Sequence, residues 1–353
     1  MNQPTSLFDY HLPSERIAQH SVEPRDQSRL LVLDRKTGER QHKQFFEIVG
    51  ELRSGDLLVM NDTKVFRARL ETTKGVEVFL LRAKTETIWE TLMRPGKKVQ
   101  VSDEIVVGIG ENVLKGIVFE KREDGVVLVD FDRSPDEVVE FANAHGEIPT
   151  PPYVSEHIDD IKKYQTVYAK ETGSVAAPTA GFHFTPELIQ SLKEKGIEFA
   201  FVTLHVGIGT FRPMKTETIE EHEMHSEFVS ISEETAQAIN LAKQEGRRVI
   251  AVGTTTVRTL EGVAKITAAT PLNPPLERGE TIRAYSGDVN IFITPGFEFR
   301  VIDGLITNFH LPKSTLLVLV SVFAGRESIL SAYQEAIQKE YRFFSFGDAM
   351  FIT

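Results

Sequence analysis

The 353-residue sequence contains no cysteine. Disulfides, thiolate nucleophiles, zinc–thiolate sites and cysteine-held iron–sulfur clusters are excluded together, so any metal would need His, Asp and Glu. Long apolar runs are also missing. Nowhere do eighteen apolar residues follow one another, and the start, MNQPTSLFDYHLPSE, is mixed and polar. A cytoplasmic protein without a membrane partner is the expectation. Positive charge is in deficit, 40 Lys and Arg against 51 Asp and Glu, for a net charge of −11. That argues against a general sheath of nucleic-acid contacts but leaves room for a local basic patch. Core-forming material is plentiful: at 41% hydrophobic residues the chain can fill two domains, or one large domain with an insertion.

The most unusual stretch is QTVYAKETGSVAAPTAGFHF, Gln165 to Phe184. After a helix-compatible run to Lys170, large side chains disappear between Thr172 and Gly181, where Gly173, Ser174, Ala176, Ala177, Thr179, Ala180 and Gly181 surround Pro178. Small residues let backbone approach a flat ligand, and glycine permits tight loops. A ligand wall and a tightly packed loop both fit this pattern. Thr185-Pro186-Glu187 then reads as a helix cap followed by proline at the first helical position.

Taken in order, RLLVLD (29–34) is a strand, 44–53 a helix, and DLLVM (56–60) a buried strand ending on Asn61-Asp62-Thr63-Lys64. Polar residues there suit either a ligand or a simple Asx turn. From Val65 to Asp132, short β-rich runs alternate with Lys74-Gly75, Pro95-Gly96, Gly110-Glu111 and Asp124-Gly125, which predicts a small barrel or sandwich. Its most basic tip carries Arg94, Lys97 and Lys98, a solvated turn or a phosphate contact.

After a helix at 134–142 and a proline-stiffened linker, helix 186–195 precedes strand 197–206, which holds His205 near its end. Gly207-Ile208-Gly209-Thr210 follows, but the third glycine of a dinucleotide loop is absent. In HEMHSEF, His222 and His225 stand three apart, a spacing open to metal binding, substrate hydrogen bonding or a structural role. Helix 233–245 and strand 247–252 lead to Gly253-Thr254-Thr255-Thr256-Val257-Arg258, a strand–helix junction that offers N–H groups and hydroxyls to an anion but lacks the Gly-Lys of a triphosphate loop. Strands at 290–294 and 297–302 are expected next. Asn308 and His310 then precede TLLVLVSVFAG, a helix capped by Ser314 and so apolar that it must be buried, and helix 327–340 follows.

FDYHLP, RDQSRLLVLDR, GDLLVMNDTKV, RPGKK, YQTVYAKETGSVAAPTAGFHFT, TLHVGIGTFRP, HEMHSEF, VGTTTVRTLE, TNFHLPKSTLL and YRFFSFGDAM occur in this order over nearly the whole chain. In these motifs the sequence resembles the S-adenosylmethionine:tRNA ribosyltransferase-isomerases of queuosine biosynthesis. Departures are few: Phe182 for the usual leucine, Phe346 for tyrosine, Arg67 for proline, Tyr285-Ser286-Gly287-Asp288-Val289 for a Ser-Gly-Trp-Thr site, and a proline-rich insertion near 270–280.

The resemblance implies an α/β main domain with a mixed sheet, interrupted by an inserted small β-barrel domain, with 1–64 and 146–353 in the first and 65–145 in the second. It implies ribosyl transfer from S-adenosylmethionine, as co-substrate and with no resident cofactor or metal, onto 7-aminomethyl-7-deazaguanine at the tRNA wobble position. Epoxyqueuosine-tRNA, adenine and methionine are the products, and a monomer is expected. Such chemistry needs a base beside the sulfonium, an acid for departing adenine, and groups that hold a cation. His183, His310 and His205 are the catalytic candidates. Gly173, Ser174, Ala177, Pro178, Thr179, Gly181, Gly207, Gly209, Thr210, His222, His225, Thr254, Thr255, Thr256, Arg258 and Asn308 are expected at the substrate, and Arg94, Lys97 and Lys98 at tRNA. Two other classes compete: a metallohydrolase built on the histidines, and a non-catalytic RNA-binding module built on the barrel.

Overall fold

A computed structural model of the chain describes residues 3–110, 112–151, 153–156, 158–207, 214–224, 226–269 and 281–353. Gly209, Thr210, His225 and the stretch 270–280 lie outside the described residues.

The first apolar runs form strands β1 (Arg29–Leu33) and β2 (Arg40–Gln44), joined by a turn in which Asp34 Oδ1 accepts the N–H groups of Lys36 and Thr37. The helix expected at 44–53 shrinks to a 3₁₀ turn and α1 (Ile48–Glu51), because Asp56 Oδ2 accepts the Arg53 N–H at 2.6 Å and turns the chain early into β3 (Leu57–Asn61). A short β4 (Thr63–Val65) follows.

The alternating runs then build β5 (Arg69–Glu71), β6 (Glu77–Ala83), β7 (Ile88–Arg94), β8 (Glu104–Ile109), β9 (Asn112–Lys121) and β10 (Val126–Asp130). They form one antiparallel sheet in the order β5-β6-β7-β10-β9-β8. It is nearly closed on itself by the bridge between Thr72 and Val107, where the Thr73 N–H donates to Val106 O at 3.0 Å. Val78, Leu80, Trp89, Leu114, Val127 and Val129 fill its interior. Helix α2 (Pro135–His145), capped by Ser134 in a reciprocal Ser134–Glu137 arrangement, adds Val138, Phe141 and Ala142 to that core.

Beyond it lie β11 (Glu171–Ser174), paired with β4, then α3 (Pro186–Glu194), β12 (Glu198–Leu204), β13 (Glu227–Ile231), α4 (Glu233–Gln244), β14 (Val249–Val252), α5 (Thr254–Ala269), β15 (Tyr285–Val289), β16 (Gly304–Asn308), α6 (Thr315–Ala324), α7 (Arg326–Gln338) and β17 (Ala349–Ile352). The caps are those the sequence predicts: Thr185 Oγ1 and Ser314 Oγ each accept an N–H three residues on, at 3.1 Å. Strands do not form at 290–294 and 297–302. The Glu261 carboxylate accepts the N–H groups of Arg300, Val301 and Ile302 at 2.9–3.1 Å, so a side chain satisfies backbone that would otherwise need a strand partner.

A nine-stranded mixed sheet results, in the order β15-β13-β12-β3-β14-β16-β17-β1-β2. Its centre, β12-β3-β14-β16, is parallel, so four adjacent strands end on the same edge. Helix α6 is buried on nearly all faces, as its composition demands. Among the described residues no single helix is long and apolar enough to cross a membrane.

Candidate functional site

At the carboxyl edge of the parallel strands, β3 runs into Asp62-Thr63, β12 into His205, β14 into Gly253 and α5, and β16 into Phe309-His310. Open α/β sheets bind ligands at such an edge. Asn61 fixes it: its amide donates to Leu204 O at 3.1 Å and to Thr255 Oγ1 at 3.3 Å, while Oδ1 accepts the N–H groups of Thr63 and Leu204. The Asx-turn reading of Asn61-Asp62-Thr63 describes this geometry.

The small-residue loop crosses the same edge. It encloses a cavity of about 70 Å³ lined by Ala177, Pro178, Thr179, Ala180, Gly253, Thr254, Thr255, Asn308, His310 and Phe344, among others. Through Val206 and Leu316 this slot adjoins a larger cleft of about 320 Å³. One side of the cleft carries His205, Gly207, His222, Glu227, Phe228 and Arg258; the other, from the six-stranded sheet, carries Arg82, Glu90, Leu92, Arg122, Asp124 and Val126.

Several expected binding residues do not reach either space. Gly173 lies under the His205 ring, where a Cβ would come within 2.7 Å of Nε2, and Gly181 lies under the Tyr168 hydroxyl, where it would come within 1.9 Å. Ser174 Oγ is spent on backbone, donating to Ala176 O at 2.7 Å and accepting the Val206 N–H at 3.0 Å. Thr256 turns its hydroxyl back to Val252 O at 2.7 Å. For these four, close packing explains the small or hydroxylated residue.

His183 is buried behind the slot rather than in it. The Asn308 amide donates to Phe344 O at 3.0 Å and to His183 Nε2 at 3.2 Å, which leaves Nδ1–H to donate to Ser28 Oγ at 2.7 Å. Its ring stacks on Phe45 at 4.9 Å. Burial, aided by the Arg342 and Arg25 charges, holds its pKa down at about 3. With both nitrogens engaged, it orients Asn308 from behind the slot and lines neither the slot nor the cleft. His310 does line the slot, its nitrogens 3.2 Å from Tyr333 Oη and Thr307 Oγ1, and burial lowers it to about 3. His205 lines the cleft. Its Nδ1 is 2.8 Å from Thr63 Oγ1, its ring stacks on Phe228, and burial lowers its pKa against the opposing pull of Glu171.

Residues 5–352 match the family of queuosine biosynthesis proteins. The chain belongs to that family. A solved member, the crystal structure of S-adenosylmethionine tRNA ribosyltransferase from Thermotoga maritima, is 40% identical over 99% of this chain and 100% of that one, with a TM-score of 0.56. The protein is accordingly an enzyme of queuosine biosynthesis, and the metallohydrolase and the non-catalytic RNA-binding module lose their support. Among the described residues, no three metal-ligating side chains come together.

Within this queuosine biosynthesis protein, the residues that sequence reasoning missed are Glu227 and the barrel wall. Glu227 forms a buried ion pair with Arg258. A signal existed: Glu227, Val229 and Ile231 share the buried face of β13, so a carboxylate interrupts an otherwise apolar row. Glu90 is held by Arg82 at 2.8 Å and Arg122 at 3.0 Å, and these arginines keep its carboxyl below the usual range despite burial. The basic tip stands apart. Arg94, Lys97 and Lys98 are exposed at the barrel corner, where Lys121 Nζ donates to Gly96 O and Val99 O, and none of the three lines the slot or the cleft.

Proposed function

We propose that this protein transfers and isomerises the ribosyl group of S-adenosylmethionine onto 7-aminomethyl-7-deazaguanine in the tRNA anticodon, releasing adenine and methionine. The observation that carries the reading is the pairing of an apolar, small-walled slot with a charged cleft at one sheet edge, in a chain 40% identical to a tRNA ribosyltransferase. A flat purine suits the slot between Ala177–Ala180 and Gly253–Thr255, with Asn308 and His310 as its polar contacts. The sulfonium and methionyl end then extend past Val206 into the cleft.

His205 is the base in this arrangement. In the tautomer that serves this role Nδ1–H donates to Thr63 Oγ1, 2.8 Å away, and Nε2 keeps its lone pair, while the lowered pKa keeps the ring neutral near pH 7. It takes the acidic proton next to the sulfonium. His310, neutral in the slot, supplies a hydrogen bond to the departing adenine rather than a full proton. Residues 1–64 with 146–353 act as one α/β domain, 65–145 as an inserted barrel that closes the cleft, and the enzyme works as a cytoplasmic monomer without a resident cofactor. Purified protein given S-adenosylmethionine and tRNA bearing the aminomethyl base is expected to release adenine and methionine in equal amounts. Formation of S-adenosylhomocysteine with methylated tRNA instead would overturn the reading.

A further inference from the structure

The charges of the cleft fall into two unlike groups. On the barrel wall, Glu90 is shared by two arginines, with Lys84 Nζ a further 3.8 Å away, and Arg82 also reaches Asp288 at 2.8 Å. These groups sit partly in solvent and satisfy one another. On the opposite wall, among the described residues, Arg258 pairs with Glu227, with only 7% and 6% of their side-chain surfaces exposed. A buried ion pair seldom adds net stability over apolar side chains of similar volume, so stability alone does not explain it. Arg258 is also under-used: among the described residues its Nε–H has no hydrogen-bond partner, although a guanidinium carries five N–H donors. Glu227 Oε1, in turn, accepts the Gly207 N–H at 3.3 Å, which orients the carboxylate along the cleft floor.

We propose that Arg258 and Glu227 form a receptor for an α-amino-acid zwitterion. The ligand's carboxylate lies against the guanidinium and its ammonium against the Glu227 carboxylate, each by a charge-assisted hydrogen bond. The two charges of the zwitterion cancel, so this end of the ligand enters a shielded floor without bringing net charge into it. The inference rests on the reading of S-adenosylmethionine as co-substrate. It adds which residues recognise the methionyl end, and that they read both of its charges.

The test compares S-adenosylmethionine with decarboxylated S-adenosylmethionine, which keeps the sulfonium and the ammonium but lacks the carboxylate. Calorimetric binding to the wild type is expected to favour the complete molecule by about 30–100-fold. Arg258→Met should bring the two ligands within about threefold of each other. The double variant Arg258→Met/Glu227→Leu removes both charges of the pair, should unfold near the wild-type temperature, and should show the same loss of preference. Retention of the full preference in the double variant, or no preference in the wild type, would overturn the receptor. Turnover is scored separately. If the wild type shows the expected preference yet releases no adenine, the reaction assignment fails while the receptor stands.

Discussion

The slot and the cleft share Val206 and Leu316 but are built by opposite means. The slot is walled by segments of the nine-stranded sheet, its loop and its helices. Apart from Asn308 and His310 its side chains are small or apolar, and Asn308 is clamped through Phe344 O and His183. The cleft is walled by two different sheets, one of them the barrel, and its polar groups are charges held in pairs. A rigid, uncharged space selects shape. A paired-charge space selects ions. One substrate that is a flat base at one end and a charged amino acid at the other would use both.

His205 puts the chemistry on the cleft side, and removing it has the largest expected effect. His205→Ala should lower turnover by about 100-fold or more, with S-adenosylmethionine binding nearly unchanged. The wild-type acid limb should also lie lower than an ordinary imidazole near 6.5 would place it, because burial lowers the His205 pKa. Activity therefore rises with pH through that lowered pKa, is full by pH 7, and the limb should vanish in the variant. His310→Ala is the control. If it abolishes turnover while His205→Ala does not, the base is in the slot and the roles of the two spaces exchange.

Filling the slot tests the other half. Ala177 is buried in its wall, and Ala177→Leu adds three carbons to a space of about 70 Å³. The leucine would take space the purine needs, so calorimetry should find S-adenosylmethionine binding weaker by about tenfold or more. The protein should still fold, because the added bulk has a cavity to enter. Unchanged binding would make the loop packing alone.

Much of the framework was legible because it depends on local patterns. Alternation between 65 and 132 marked the barrel strands, Thr185 and Ser314 marked helix starts, and the apolar run at 315–324 had to be buried. Within the site, the small residues at 177–180, readable as a wall or as packing because side-chain size is a local property, line the slot. What stayed hidden depends on partners distant in the chain. His183 is a clamp only because Ser28 and Asn308 occupy both of its nitrogens. The strand expected at 297–302 gave way to one carboxylate, Glu261, some forty residues earlier, which takes the N–H groups of Arg300, Val301 and Ile302. The barrel wall of the cleft could not be assigned from spacing, since Arg82, Glu90 and Arg122 reach the site only through the way the two sheets meet.

The smallest expected effect concerns the basic tip, which lines neither space. Arg94 ends β7, the strand whose Glu90 and Leu92 face the cleft, and alternate residues of a strand share a face. With Lys97 and Lys98 just beyond, the tip extends the cleft's barrel wall outward, where an anticodon stem bound at the cleft would pass. Exposed cations contribute to RNA binding mainly by releasing counterions from phosphates. Replacing all three by alanine should therefore reduce the salt slope of tRNA binding by about 2–3 while weakening affinity only several-fold near physiological salt, with a larger deficit at low salt. S-adenosylmethionine binding should not change, because slot and cleft keep every lining residue. A filter-binding titration from about 50 to 200 mM salt decides the matter. If the slope of the triple variant equals that of the wild type, the tip is a solvated turn, and the RNA crosses the cleft along the Arg82–Arg122 wall instead.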